Sequence, residues 1–245
     1  MKSRLPYNAS LLLLLLIWIG CKKPDCLEAA GSTSRQERAS PAFTSINIAD
    51  NINLVLTQGS KEKIEVEGGA NVIANIETSV KNEILTVRNN ASCKWLQDPS
   101  QKITVYLSVA NLVRIDYNGS GNISTTNIIQ ADGITFFTDE GAGNIDIDLR
   151  AKRTYVYIYN DNSDIRFRGS SDSCYVYSQE KGTIDFRDFK VRHQMVGYGS
   201  IRDGYVHATE SLHVIMYFKG TLFYKGSPLR IKTEYLSTGK VLPMP

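Results

Sequence analysis

The sequence predicts an all-β chain wound as a right-handed parallel β-helix (a solenoid) with coils of about 20 residues. Three observations carry that expectation. Beyond Pro41, short β-branched and aromatic runs alternate with Gly, Asn, Asp and Ser turns, and helical periodicity is almost absent. A small turn residue followed by an apolar one returns at Gly121-Asn122-Ile123, Gly143-Asn144-Ile145, Ser163-Asp164-Ile165, Gly182-Thr183-Ile184, Gly199-Ser200-Ile201 and Gly220-Thr221-Leu222. Strand-like runs such as Tyr155-Val156-Tyr157-Ile158-Tyr159 precede these points, and alternating stretches such as Ile145-Asp146-Ile147-Asp148-Leu149 follow them. Two or three short strands per repeat are what one coil of a solenoid requires. An antiparallel β-sandwich is the competing architecture, and it accounts less well for a recurrence at this spacing.

In chain order, residues 1–20 read as a lipoprotein signal peptide. Lys2 and Arg4 give a basic start, and Ala9 to Ile19 is an apolar run with six consecutive Leu, closed by Gly20 and Cys21. As a helix this run is ~16 Å long, about half of the ~30 Å hydrocarbon slab, so it is too short to span a membrane comfortably. A small residue before Cys at such a place resembles a bacterial lipobox, in which the Cys21 thiol is acylated. Several acyl chains at ~0.8 kcal/mol per buried methylene make attachment effectively permanent. Residues 21–41 are polar and rich in small residues, and read as a tether. Residues 42–245 form the single β-helix domain, with opening strands over 42–111 and repeat coils plus a C-terminal cap over 112–245.

Within the coils, a residue type that recurs at one place stacks along the axis with a rise of ~4.8 Å per coil. The Ile/Leu series is expected in the core, and the Gly and Asn before it are expected to supply positive-φ corners. Alternation sends Asp146, Asp148, Asp185 and Arg187 outward and Ile145, Ile147, Ile184 and Phe186 inward. The ending Leu229-Arg230-Ile231-Lys232-Thr233, with Pro243 and Pro245, is expected to close the last edge.

An exported chain lives where disulfides persist, and Cys26, Cys93 and Cys174 remain once Cys21 carries lipid. Cys26 and Cys93 lie in polar, loop-like surroundings and are the expected disulfide, contributing about 4 kcal/mol on the chain-entropy estimate. Cys174 opens a strand-like run and suits burial. Free thiols at Cys26 and Cys93 are the alternative.

Composition excludes some functions. With 42% hydrophobic residues and 22% charged ones the chain is globular rather than disordered, and a net charge of +3 is too balanced for wrapping a phosphate backbone. No nucleic-acid partner is expected. The segment Gly141-Ala142-Gly143-Asn144-Ile145-Asp146 faintly resembles a Ca²⁺-binding nonapeptide but occurs once, which favours a plain turn. Asp146, Asp148, Asp164, Asp185 and Asp203 could stack as the carboxylates of a carbohydrate-active enzyme, although Asp after a turn is the ordinary solvated residue of such a coil. His207, His213 and Asp203 are a weak metal trio. No cofactor, metal or catalytic residue is expected. The thirteen Tyr carry the sharper signal. Tyr155, Tyr157 and Tyr159 share one side of one strand, and Tyr175 and Tyr177 stand at matching places one coil later. Facing outward, they form an aromatic strip able to stack on sugar rings or anchor a protein.

The combination of Cys21 and Cys26, Phe43 and Ile46, Asn51 to Gly59, Ile64 to Gly68, Cys93-Lys94-Trp95-Leu96 and Gly119-Ser120-Gly121-Asn122-Ile123 resembles the putative auto-transporter adhesin, head GIN domain family. The resemblance implies a β-helical, adhesin-like domain of Gram-negative envelope proteins, often lipoproteins, and brings no catalytic residue. The expected protein is thus an envelope-anchored lipoprotein of the outer membrane, facing the periplasm or the surface. Its membrane contact is an N-terminal lipid, and its partner is an envelope protein or glycan. A polysaccharide lyase or glycosidase on the same scaffold is the alternative.

Overall fold

The computed structural model describes residues 29–92 and 102–244. The chain forms strands β1 (Thr33–Arg38), β2 (Ser45–Asp50), β3 (Asn53–Gln58) and β4 (Lys63–Gly69), a single helical turn α1 (Ala70–Ile73), then β5 (Ile76–Lys81), β6 (Ile84–Asn89), β7 (Thr104–Val109), β8 (Arg114–Gly119) and β9 (Ile123–Thr125). Longer strands follow: β10 (Ile129–Asp139), β11 (Asn144–Asp161), β12 (Asp164–Glu180), β13 (Thr183–Tyr198) and β14 (Gly204–Met216). The short β15 (Thr221–Lys225), β16 (Arg230–Tyr235) and β17 (Lys240–Pro243) complete the fold.

Pairing that is parallel except at β5–β6, β1–β4 and β4–β7 stacks these strands into two ladders that run along one axis. Ladder one is β5-β6-β2-β8-β10-β11-β12-β13-β14-β16. Ladder two is β1-β4-β7-β3-β9-β11-β12-β13-β14-β15-β17. The β11 to β14 strands belong to both because each bends in its middle, at a row of registered residues Ala131, Ala151, Ser171, Val191 and Ala208. Small side chains at most places in that row let the two limbs approach. The architecture is therefore the parallel β-helix that the recurrence predicts.

The core fills the space between the ladders. Leu54, Ile123, Ile145, Ile165 and Ile184 stand in register and are almost completely buried, and Phe136, Phe167, Phe186 and Phe189 thicken the middle. Phe167 and Phe186 stack with centroids 4.8 Å apart, an aromatic contact worth about 1 kcal/mol beyond area burial. Asp146, Asp148, Asp185 and Arg187 point outward as alternation requires.

Four expectations are corrected. Thr33–Arg38, read as tether, is a strand paired antiparallel with β4; an edge strand exposed on its flank carries no apolar alternation to reveal it. The corner glycines are not at positive φ. A Cβ on Gly143 would collide with the Gly121 carbonyl oxygen, and one on Gly182 with that of Ser163, so close approach of successive coils selects glycine there. The positive φ falls earlier, at Glu140 (58°) and Asn160 (47°). Ile201 does not join the core series and is 62% exposed; Gly204 registers with Leu222 instead, and the buried Tyr198 ring fills the space beside it. Finally, the C-terminal residues leave the last coil open rather than closed, with Ile231 46% exposed.

The opening segment also threads out of sequence order. The coil made by β2 and β3 is inserted between the β6–β7 coil and the β8–β9 coil. Antiparallel β5 and β4 then cover the β6 and β7 edges, which closes that end.

Candidate functional site

Ladder one presents the tyrosines outward, because Val156, Ile158 and Val176 between them are fully buried. Register sets Tyr155 beside Tyr175 and Tyr157 beside Tyr177. The rings form one chain, with Phe137 to Tyr159 5.7 Å between centroids, Tyr159 to Tyr177 5.3 Å and Tyr177 to Tyr217 5.9 Å, and a pair beside it, Tyr157 to Tyr175 at 5.7 Å. Phe137 and Tyr217 extend the strip beyond the tyrosines expected from the sequence. Tyr217 ends the run Val214-Ile215-Met216-Tyr217 just past β14, and the burial of Val214 and Met216 leaves it on the outward side.

Partial burial and the neighbouring phenols push the Tyr175 and Tyr177 hydroxyls above the usual tyrosine range. Both therefore remain neutral hydrogen-bond donors at any physiological pH. An open hollow of about 290 Å³ lies among Tyr155, Tyr175, Met195, His193 and His213.

Beside the strip the bend forms a longitudinal groove of about 1180 Å³. Ala131, Ala151 and Ser171 line it, and Arg150, Lys152, Lys190 and Arg192 edge it. Lys152 pairs with Asp132 at 2.7 Å, and Arg192 with Glu210 at 2.7 Å. Among the described residues Arg150 and Lys190 have no ion-pair partner. The groove was not visible in the sequence, because it arises from small residues stacked at a bend whose position only the register reveals.

The acidic residues of ladder two do not converge as a catalytic group. Arg168 bridges Asp146 at 2.6 Å and Asp148 at 2.7 Å, and Arg187 holds Asp185 at 2.6 Å. Hydrogen bonding to Arg187 keeps the Asp185 carboxyl below the usual carboxylate range. Asp164 bonds Thr183 (Oδ1 to Oγ1, 2.5 Å), and Asp203 is exposed ahead of β14. The Gly141–Asp146 segment is a corner packed over the buried Tyr117 ring.

The histidines are likewise dispersed. His207 lies on ladder two with Nδ1 3.2 Å from the Arg187 carbonyl oxygen, and His213 lies on ladder one 3.1 Å from Glu234. His193 meets Ser211 at 3.0 Å and lies 3.4 Å from Glu210 Oε2, whose other oxygen holds Arg192 at 2.7 Å. Among the described residues no group of three or more His, Cys, Asp or Glu could hold a metal ion.

Cys174 is buried without a disulfide, and burial pushes its thiol up to about 12. Cys21 and the Cys26–Cys93 pair lie outside the described residues. No helix among the described residues is long and apolar enough to cross a membrane.

The family profile described as "putative auto-transporter adhesin, head GIN domain" matches residues 42–228. Among curated proteins, none matches the chain significantly. Solved structures share the fold. A putative adhesin from Bacteroides fragilis NCTC 9343 superposes with a TM-score of 0.78 at 21% identity, over 87% of this chain and 97% of that one. A putative adhesin from Parabacteroides distasonis ATCC 8503 gives 0.68 at 16% identity, over 87% and 98%. A putative lipid binding protein from the same organism gives 0.65 at 16%, over 88% and 98%. With the profile matching most of the sequence, this chain belongs to the putative auto-transporter adhesin, head GIN domain family.

Proposed function

We propose that the chain is an envelope-anchored binding protein, held at the outer membrane by acylation of Cys21, whose ladder-one flank recognises an envelope glycan or protein. The observation that carries this reading is the outward aromatic strip across successive coils, bordered by a groove with two unpaired cations. Natural sequences seldom leave connected aromatic rings in water without a partner for them. Tyrosine offers a large, rigid contact face at low entropic cost together with a hydroxyl that donates. The groove alongside supplies Arg150 and Lys190 for hydroxyl, carboxylate or phosphate groups on the same ligand. The family description and the adhesin descriptions of the structural relatives support binding over catalysis. In ladder two Asp146, Asp148 and Asp185 are held by arginines, which also favours binding.

The test takes the detergent-solubilised full chain to arrayed envelope glycans and to an envelope protein extract, beside a Tyr157→Ala/Tyr177→Ala variant. A ligand retained by the wild type and lost by the variant supports the reading; equal retention by both contradicts it. Fatty-acid labelling and membrane fractionation of Cys21→Ala test the anchor separately. The substituted chain is expected to lose label and leave the membrane fraction.

A further inference from the structure

The two ends of the solenoid are built differently. At one end ladder two finishes on β1, whose residues Thr33-Ser34-Arg35-Gln36-Glu37-Arg38 include none that is apolar, and the core behind it is sealed: Ile64, Val66, Leu85 and Val87 are fully buried. At the other end the last strands are β16 and β17, and among the described residues nothing pairs with their outer edges. Ile231 and Tyr235 stand in register on Leu212 and Met216, which are buried, so they continue the core; they are nevertheless 46% and 52% exposed. Leu229, Leu236 and Leu242 are exposed beside them. Exposed apolar side chains thus concentrate where the core ends.

We propose that this open coil is a self-association surface, at which β16 pairs antiparallel with β16 of a second copy about a two-fold axis at Thr233. Edge strands are ordinarily blunted by proline or by charged side chains, which disfavour pairing wherever like charges would face each other. β17 carries Pro243, which denies it a donor, but β16 has no proline and its charges are mixed. Within one copy Lys232 Nζ lies 2.6 Å from Glu234 Oε1, which also faces His213 at 3.1 Å; centred on Thr233, the pairing brings the two copies' bridges together, with Lys232 opposite the partner's Glu234 and Ile231 opposite the partner's Tyr235. Opposite charges and aliphatic–aromatic pairs are both favourable across antiparallel strands. Centred one residue earlier, on Lys232, the same strands would oppose Lys232 with itself. The charge pattern therefore selects one register as well as one partner, and the contact is isologous, so it closes at two copies instead of growing into a fibre. The polar β1 edge lies at the far end of each copy. The two N-termini consequently point away from one another, an arrangement suited to joining copies held on facing surfaces.

The test uses the full chain in detergent with light scattering. Wild type is expected to have the mass of a dimer, and Lys232→Glu and Glu234→Lys are each expected to be monomeric. An equimolar mixture of these two variants is expected to recover the dimer, because each then opposes unlike charge. Directly opposed residues in such a pair have Cα atoms ~4.5–5.5 Å apart, within disulfide range, so Thr233→Cys is expected to cross-link between copies on oxidation. Lys219→Cys, exposed one coil earlier, is the control. A monomeric wild type, variants as dimeric as wild type, or equal cross-linking at both cysteine positions would overturn the proposal. Unchanged circular dichroism melting of the variants keeps these outcomes separate from misfolding.

Discussion

The Tyr177 ring reaches the Tyr217 ring, 5.9 Å away between centroids, across the coil that carries Gly197. A Cβ on Gly197 would lie 3.0 Å from one ring and 3.2 Å from the other. Glycine is needed here for the room it leaves, since its φ is not in the left-handed region. Gly197→Val is expected to part the rings, to lower the unfolding midpoint by an amount equivalent to about 1 kcal/mol, and to weaken ligand capture. Denaturant melting together with the capture assay checks both effects; an unchanged melt and unchanged capture would show that the strip does not depend on ring contact.

Asp161 is a buried bolt between coils. It is fully buried and accepts from the Gly141 backbone N–H at 3.0 Å, from the Ser163 N–H at 2.5 Å and from the Thr138 hydroxyl. Removing the carboxylate orphans buried donors at roughly 1–3 kcal/mol each, so Asp161→Ala is expected to destabilise by about 3 kcal/mol or more. Urea unfolding reads this directly, and Asp161→Asn, which keeps one acceptor oxygen, is expected to lose less.

At the sealed end, hydrogen bonds from Asn90, Arg88 and Ser79 hold the Glu77 carboxyl down at about 2, against 4.5 ordinarily. A depressed folded-state value contributes stability that is present above pH 4.5 and is lost as pH falls toward 2. Protection of the β5 and β6 amides, taken relative to the free-peptide exchange rate at each pH, is expected to fall over that interval in the wild type. In Glu77→Gln that protection should already be low at neutral pH and should change little with acid. Identical acid profiles in the two proteins would remove Glu77 from the account.

Thiol chemistry separates the cysteines. Buried and held up to about 12, Cys174 is expected to resist alkylation at pH 8 in the native protein and to react on denaturation. If Cys26 and Cys93 are bonded and Cys21 is acylated, labelling of the denatured, unreduced chain stops at Cys174, and reduction adds Cys26 and Cys93. Mass spectrometry of the labelled peptides checks each step.

The coils were legible because their signal repeats. Ile123, Ile145, Ile165 and Ile184 hold one place in register, and burying a ladder of identical residues demands such repetition. Ile201 breaks the series because Tyr198 from its own coil already occupies the space and leaves room only for Gly204. The β1 strand and the out-of-order β2–β3 coil were not legible, since polar edge residues carry no period and adjacency in a ladder need not follow the chain. The Tyr face was readable from alternation within β11 and β12. Its extension by Phe137 and Tyr217, and the groove along Ala131, Ala151 and Ser171, depend on register between coils, which no single segment encodes.

The central claim is that the ladder-one flank is the ligand surface. Hydroxyl-radical footprinting of the full chain, on isolated envelopes and in detergent alone, tests it most directly. Tyr205 on ladder two, stacked 5.5 Å from Phe223, supplies an internal reference. The account predicts that Tyr157, Tyr159, Tyr175, Tyr177 and Tyr217 become protected on envelopes while Tyr205 reacts as before. Unaltered oxidation of the ladder-one tyrosines, or protection confined to Tyr205, would contradict it.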